Sequence, residues 1–294
     1  MSAIDEHSPS RPELACVVLA LGAPRELPSA VRSLVEQSEP AEIVVVNSAG
    51  GDAVQRLHAA GLPSLRIEHS ANRLLPGAAR NAGVAVTGAP YVAFLAADCI
   101  AEPGWVAARL AAHRAGADAV ASAVTNASPS SLAAWASYVA LFNRRMPGTP
   151  AAVALRYGVS YRRALLASHG GFREDLRTGE DTELHARLVR SGEIVWAPTV
   201  RTAHRHPETL KALFADQFHR GRRSASAWRN LDGPPPRTIA ANAMTRLPGG
   251  ALRALRAAQP GERRWVAAAC LILPAAALAY AYGAWRARPA LEAP

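Results

Sequence analysis

The chain has 294 residues, half of them hydrophobic, so it can bury the core of one large α/β domain or two small ones. Its three cysteines, Cys16, Cys99 and Cys270, are far apart and fit neither a disulfide framework nor a CxxC-type zinc site, which points to a reducing compartment. The net charge of +10 sits in the last third: residues 1–200 carry 18 arginines against 18 acids, residues 201–294 carry 15 basic residues against 5 acids. That asymmetry suggests an anionic partner, whether a phosphate-bearing ligand, a membrane surface or a nucleic acid, although a bias in nucleotide composition also yields an Arg- and Ala-rich chain. No nucleic-acid-binding motif accompanies the charge, so nucleic acid is the weakest of the three.

Residues 1–13 are polar and acidic, without a signal-peptide pattern, and read as a disordered tail. Residues 15–21 (ACVVLAL) form a β-branched run that predicts a buried strand. Leu27, Ala30, Val31, Leu34 and Val35 share one helical face. A second strand is predicted at 42–46 (EIVVV) before the turn-rich NSAGGD, a helix at 53–60, a short strand at 65–68 and a small-residue helix at 76–86. A strand at 91–97, a helix opened by Pro103 and a strand at 118–124 follow. Apolar strands alternating with helices are the pattern of βαβ units, hence a Rossmann-like, mostly parallel sheet with helices on both faces.

Beyond residue 124 the pattern changes. Residues 131–143 read as a helix and 157–161 as a strand; a Gly-Gly turn and an Arg-Thr-Gly turn then place Glu180 and Asp181 at the entry of a helix running to Arg190. Residues 193–197 predict one more strand, soon followed by His204 and His206. Residues 226–262 contain Pro and Gly breaks with arginines at helical spacing, a basic linker or an amphipathic stretch suited to an anionic lipid surface. Residues 265–285 carry no charge, have Trp and Tyr near their ends, and are flanked by Arg263 and Arg264 on one side and Arg286 and Arg288 on the other. At ~1.5 Å per residue they approach the roughly 30 Å of a bilayer core. Their many alanines and the central Pro274 leave two readings open: a membrane-embedded helix, or a helix lying on or packed into the protein.

In open α/β sheets ligands bind beyond the carboxyl ends of the strands. Asn47 and Asp98 both end predicted strands at that edge, so a ligand crevice is expected there.

Four segments, in order, carry a resemblance. EIVVVNSAGGD at 42–52, PGAARNAGVAVTGAPYVAFLAADCIAEPGWV at 76–106, GGFREDLRTGEDTELHARLVRSG at 170–192 and AHRHPETLKALFADQFHRGRR at 203–223 resemble, over roughly residues 14–225, the family 2 glycosyltransferases of GT-A fold. The resemblance implies inverting transfer of a sugar from a nucleotide diphosphate, a UDP-sugar foremost, to an acceptor hydroxyl on a glycan or a lipid-linked molecule. It implies Mn²⁺ or Mg²⁺ held by Asp98, with His204 as a further ligand. It implies Asp181 as catalytic base, Glu180 beside it to cap or orient, and Asn47, Arg80, Ala96 and Arg220 along the donor. Arg222 and Arg223 would complete a phosphate clamp, and the work would be done at the cytoplasmic face of the membrane.

The chain also departs from the family pattern. Ala96 stands where the first acid of Asp-x-Asp is usual, Asn47 where an Asp reads the base, and LGAPRE replaces the usual loop after the first strand. Gly221 replaces the Trp of QxxRW, which argues for addition of single residues rather than processive synthesis. The alternative function is therefore a degenerate member that binds nucleotide sugar or glycan with little turnover.

Overall fold

The computed structural model of the chain describes residues 11–156, 160–229 and 235–287. The first part alternates strand and helix: β1 (Leu14–Leu21), α1 (Leu27–Val35), β2 (Glu42–Ser48), α2 (Ala53–Ala59), β3 (Arg66–Ser70), α3 (Pro76–Ala85), β4 (Tyr91–Ala96), β5 (Cys99–Ala101), α4 (Trp105–Arg114), β6 (Ala119–Asn126) and α5 (Leu132–Phe142). Then come β7 (Ser160–Arg162), α6 (Arg163–Ser168), α7 (Glu180–Leu188), β8 (Ile194–His204), α8 (Leu210–Arg229), α9 (Pro236–Thr245), α10 (Leu247–Ala257), α11 (Arg263–Cys270) and α12 (Leu273–Trp285). Asp52 and Ser131 cap α2 and α5 by accepting from the backbone N–H groups of Gln55 and Ala134. Of the segments anticipated from sequence, residues 1–10, 157–159, 230–234 and Arg288 lie outside the described residues.

One eight-stranded sheet runs in the order β3-β2-β1-β4-β7-β6-β8-β5. Its β3-β2-β1-β4 half is parallel, joined by α1, α2 and α3. The other half makes the sheet mixed while parallel pairing still predominates: β6 and β8 run parallel, but β7 runs antiparallel to both β4 and β6, and β5 antiparallel to β8. For β5 the cause is connection length. Only Ala97 and Asp98 separate β4 from β5, far too few for a parallel crossover, so β5 turns away and pairs with the end of β8.

Alternation along β1 feeds two cores. Leu14, Cys16, Val18 and Ala20 pack with α1, α2 and α4, while Val17 packs on the opposite face with α3, α6 and α7. A third core is helical: Trp135 and Tyr138 of α5 meet Leu213 of α8 and apolar residues of α10, α11 and α12. Helix α12 lies along α8 at backbone contact. A Cβ on Gly221 would strike the Tyr280 carbonyl, and one on Gly283 the Phe218 carbonyl. Gly221 thus stands where the family pattern has Trp because α12 occupies that space.

The apolar segment 265–285 is not one helix. It breaks at Leu271–Ile272 into α11 and α12, which meet at 52°. Pro274 has no N–H to give the Cys270 carbonyl, and its ring crowds that turn. Among the described residues no single helix is long and apolar enough to cross a membrane; only the bent pair reaches that length and composition.

Candidate active site

The loops after β1 and β2 meet at the carboxyl edge of the sheet. Asn47, buried at the end of β2, accepts the Ala23 N–H through Oδ1 (2.8 Å) and donates through Nδ2 to the Gly50 and Gly51 carbonyls (2.9 and 3.1 Å). Both ends of its side-chain amide thus bind the protein's own backbone. It holds Ala23 at φ 44° beside Ala49 at φ 62°, two left-handed alanines in adjoining loops. Such backbone costs of order 1–3 kcal/mol per residue and gathers at functional sites.

Ala96 and Asp98 both point outward at the end of β4, two residues apart. Asp98 sits in the tight link to β5, and its carbonyl accepts the Arg205 N–H at 3.0 Å. The β5–β8 ladder sets Cys99 directly opposite His204, and the β6–β8 ladder sets Asn126 opposite His204 on the other side. Asp98 Oδ2 lies 3.8 Å from His204 Nε2, and Cys99 Sγ is 3.5 Å from Asp98 Oδ1. Ligand atoms of these three residues lie within 4.8 Å of one another.

Burial holds His204 below the usual imidazole range against the pull of Asp98, and pushes His206 down to about 2, aided by His204 and Arg220. Both rings are therefore neutral near pH 7 and keep a lone pair for a cation. Among the described residues, Nδ1 of His204, Nε2 of His206 and Nδ2 of Asn126 are buried without hydrogen-bond partners. A separation of 3.8 Å is one that two ligands ~2.1 Å from a common ion can span, so oxygen and imidazole donors here fit a divalent metal.

Helix α8 brings arginines to the same place. Arg220 pairs with Asp216 at 2.6 Å, one turn away, and its charge acts on both histidines. Arg223 lies near Arg220, Arg177 and Arg73; burial and these neighbours lower its ordinarily high pKa, with Asp216 opposing. Arg222 does not join them. It projects from another side of α8, over the Phe218 ring at 6.0 Å.

A second cluster stands at the start of α7. Arg80 of α3 forms a buried ion pair with Glu180 and lies over the faces of Phe94 and Phe172 at 5.6 and 5.1 Å. Glu180 and Asp181 together raise the Arg80 pKa over the opposing effect of burial. Asp181 is only partly covered; its Oδ1 accepts the Thr182 N–H at 2.7 Å, and Oδ2 has no hydrogen bond among the described residues. The fold thus assembles Asp98, His204 and Arg220 in one group and Arg80, Glu180 and Asp181 in another. Asp181 is not part of the Asp98–Cys99–His204 set.

Sequence reading passed over Cys99, Asp216, Arg73 and Arg177. Asp216 was legible as the i−4 partner of Arg220. The other three depend on ladder pairing and loop approach across the chain.

The curved mixed sheet with covered faces, its ligand edge lined by an outward acid, a histidine and arginines, is the architecture of a GT-A glycosyltransferase. Glycosyl transferase family 2 matches residues 16–166. A pre-mycofactocin glycosyltransferase of Mycobacterium tuberculosis is 28% identical over 234 residues, covering 74% of this chain and 48% of the relative. The chain therefore spans about half the length of the curated relatives it matches. Among solved structures, the mannosyltransferase PcManGT from Pyrobaculum calidifontis, in complex with GDP-Man and Mn²⁺, superposes with a TM-score of 0.58 at 16% identity over 94% of this chain and 86% of that one. TarS from S. aureus does so with a TM-score of 0.52 at 16% identity over 92% and 89%. This chain belongs to glycosyl transferase family 2.

Proposed function

We propose that the chain is an inverting transferase that moves a sugar from a nucleotide diphosphate, a UDP-sugar foremost, to a hydroxyl of a glycan or lipid-linked acceptor at the cytoplasmic face of the membrane. The observation that carries this reading is the convergence of Asp98, His204 and Arg220 at the carboxyl edge of the sheet. The GDP-Man and Mn²⁺ of the mannosyltransferase, and the UDP-GlcNAc bound by TarS in another structure (TM-score 0.50), lend support by analogy of fold.

Asp98 and His204 would hold Mn²⁺ or Mg²⁺, which when bound opposes the charge growing on the leaving diphosphate. Arg220 and Arg223 meet the phosphates, with Arg177 and Arg73 behind them. Asn47 serves the donor by fixing the two loops that border the base, and the small Ala96 leaves room at the strand end for the donor itself. Asp181 accepts the proton of the acceptor hydroxyl. The acceptor oxygen attacks the anomeric carbon from the face opposite the diphosphate, the bond from that carbon to the phosphate oxygen breaks, and the nucleoside diphosphate leaves. Glu180, tied to Arg80, orients the helix start that carries Asp181. With Gly221 in place of Trp, one sugar is added per encounter.

The test is donor hydrolysis and transfer across a panel of nucleotide sugars with Mn²⁺. Asp181→Asn should lower turnover by roughly 10²–10⁴-fold while donor binding persists. Undiminished turnover would remove Asp181 as base. His204→Ala should raise the Mn²⁺ concentration for half-maximal donor binding by at least about tenfold. The missing acid at Ala96 favours one alternative, a weakly active binder; saturable donor binding without release of nucleoside diphosphate would establish it.

A further inference from the structure

Helix α12 and the break before it bury one side and expose the other, and from Leu271 to Trp285 the exposed side is apolar. Leu273, Ala276, Ala277, Gly283 and Ala284 face inward. Leu271, Pro274, Ala275, Leu278, Tyr282 and Trp285 face outward, the large ones 84% (Leu271), 58% (Leu278), 53% (Tyr282) and 66% (Trp285) exposed. Their spacing is helical. The outer face of a helix packed on a water-soluble protein is ordinarily polar, and a continuous apolar stripe marks an interaction surface.

What covers it is indicated by the charges. No acid occurs from residue 263 to residue 287, while exposed Arg263 and Arg264 stand at one end and Arg286 at the other. The stripe continues onto α8: Trp285 stacks with Tyr282 (6.1 Å between centroids), Tyr282 meets Phe218 (5.6 Å), and Arg222 lies over Phe218. Aromatic rings beside guanidinium groups along an apolar ridge suit the headgroup zone of a membrane. The 52° bend suits a segment lying along a surface more than one crossing it.

We propose that this face lies flat on an anionic lipid membrane, its apolar stripe at the acyl boundary and its arginines among the headgroup phosphates, without spanning the bilayer. The proposal rests on the membrane part of the function above and not on its sugar chemistry. It also gives α8 a double role. One side presents Arg220 to the site while the other, through Phe218 and Arg222, faces lipid, so the site is held close to a lipid-borne acceptor.

The test uses the full chain with vesicles of phosphatidylcholine alone or mixed with phosphatidylglycerol. Co-sedimentation should favour the anionic vesicles several-fold and weaken as salt rises. The paired substitution Leu278→Glu and Trp285→Glu should lower partitioning at least tenfold, with circular dichroism and melting showing that the fold persists. Independently of any variant, shallow-brominated lipids should quench the native tryptophan fluorescence more than deeply brominated ones. Membrane-bound protein should be released by alkaline carbonate. Resistance to carbonate would mean a span, overturning this inference and leaving the membrane reading intact. Absence of binding to either vesicle would overturn both, whatever the donor assays give. A dimer in lipid-free buffer that the paired substitution dissolves would assign the face to a second copy of the chain and overturn the proposal.

Discussion

Arg80 and Glu180 show what a single residue does in this protein. They are 100 positions apart and form a largely buried ion pair whose guanidinium lies over two aromatic rings. Two buried charges are tolerable only as a pair. Arg80→Met should therefore destabilise by roughly 3–5 kcal/mol in urea unfolding, because Glu180 is left charged and alone. Adding Glu180→Leu should recover much of that loss, and failure to recover it would mean that the pair's neighbours, not its charges, matter. Asn47 is a comparable case. Its motif position predicts contact with a base, yet its amide ties Ala23, Gly50 and Gly51 together. Removing it as Asn47→Ala leaves the buried Ala23 N–H without its acceptor and should cost roughly 1–3 kcal/mol in the same measurement.

At the scale of elements, α8 and α12 behave as one unit. Gly221 and Gly283 let the two backbones touch, and the contact lies one residue from Arg220. Gly221→Leu should force the helices apart, lowering stability by roughly 1–3 kcal/mol and weakening donor affinity together. A variant with lower melting temperature and unchanged donor affinity would separate the helical cap from the site. The strands and helices of residues 14–126 were legible from apolar runs and periodicity, because each is local. Strand β5 was not: three residues after a two-residue link carry no periodicity, and only the partner strand β8 makes them a strand. The break at Pro274 was foreseeable as a doubt about a single helix, and the structure turns that doubt into a bend.

For the whole molecule, buried histidines set the response to acid. His113 is enclosed between Tyr91, the Ala117 carbonyl and Ser160, and burial pushes its pKa down to about 4. His204 and His206 are shifted the same way. A lowered histidine pKa means the unfolded chain binds protons first as pH falls. The stabilisation is complete above about pH 6.5 and is lost as pH falls toward 4, with about 3 kcal/mol from His113 alone. Urea midpoints measured from pH 7 to pH 4 should fall accordingly, and His113→Leu should flatten the slope.

The sequence by itself determined the alternation of strand and helix in the first half, the family, and the motif positions that make Asp98, Asp181 and His204 candidates for a site. These follow from local pattern and from motifs that travel as short segments. Only the tertiary structure decided that the sheet is mixed, that Cys99 and Asn126 flank His204, that Arg177 and Arg73 approach Arg223, and that residues 265–285 bend and expose an apolar side. Each of those depends on which residues distant in sequence meet in space. That is set by packing and ladder register, whose free energy no short stretch of chain contains.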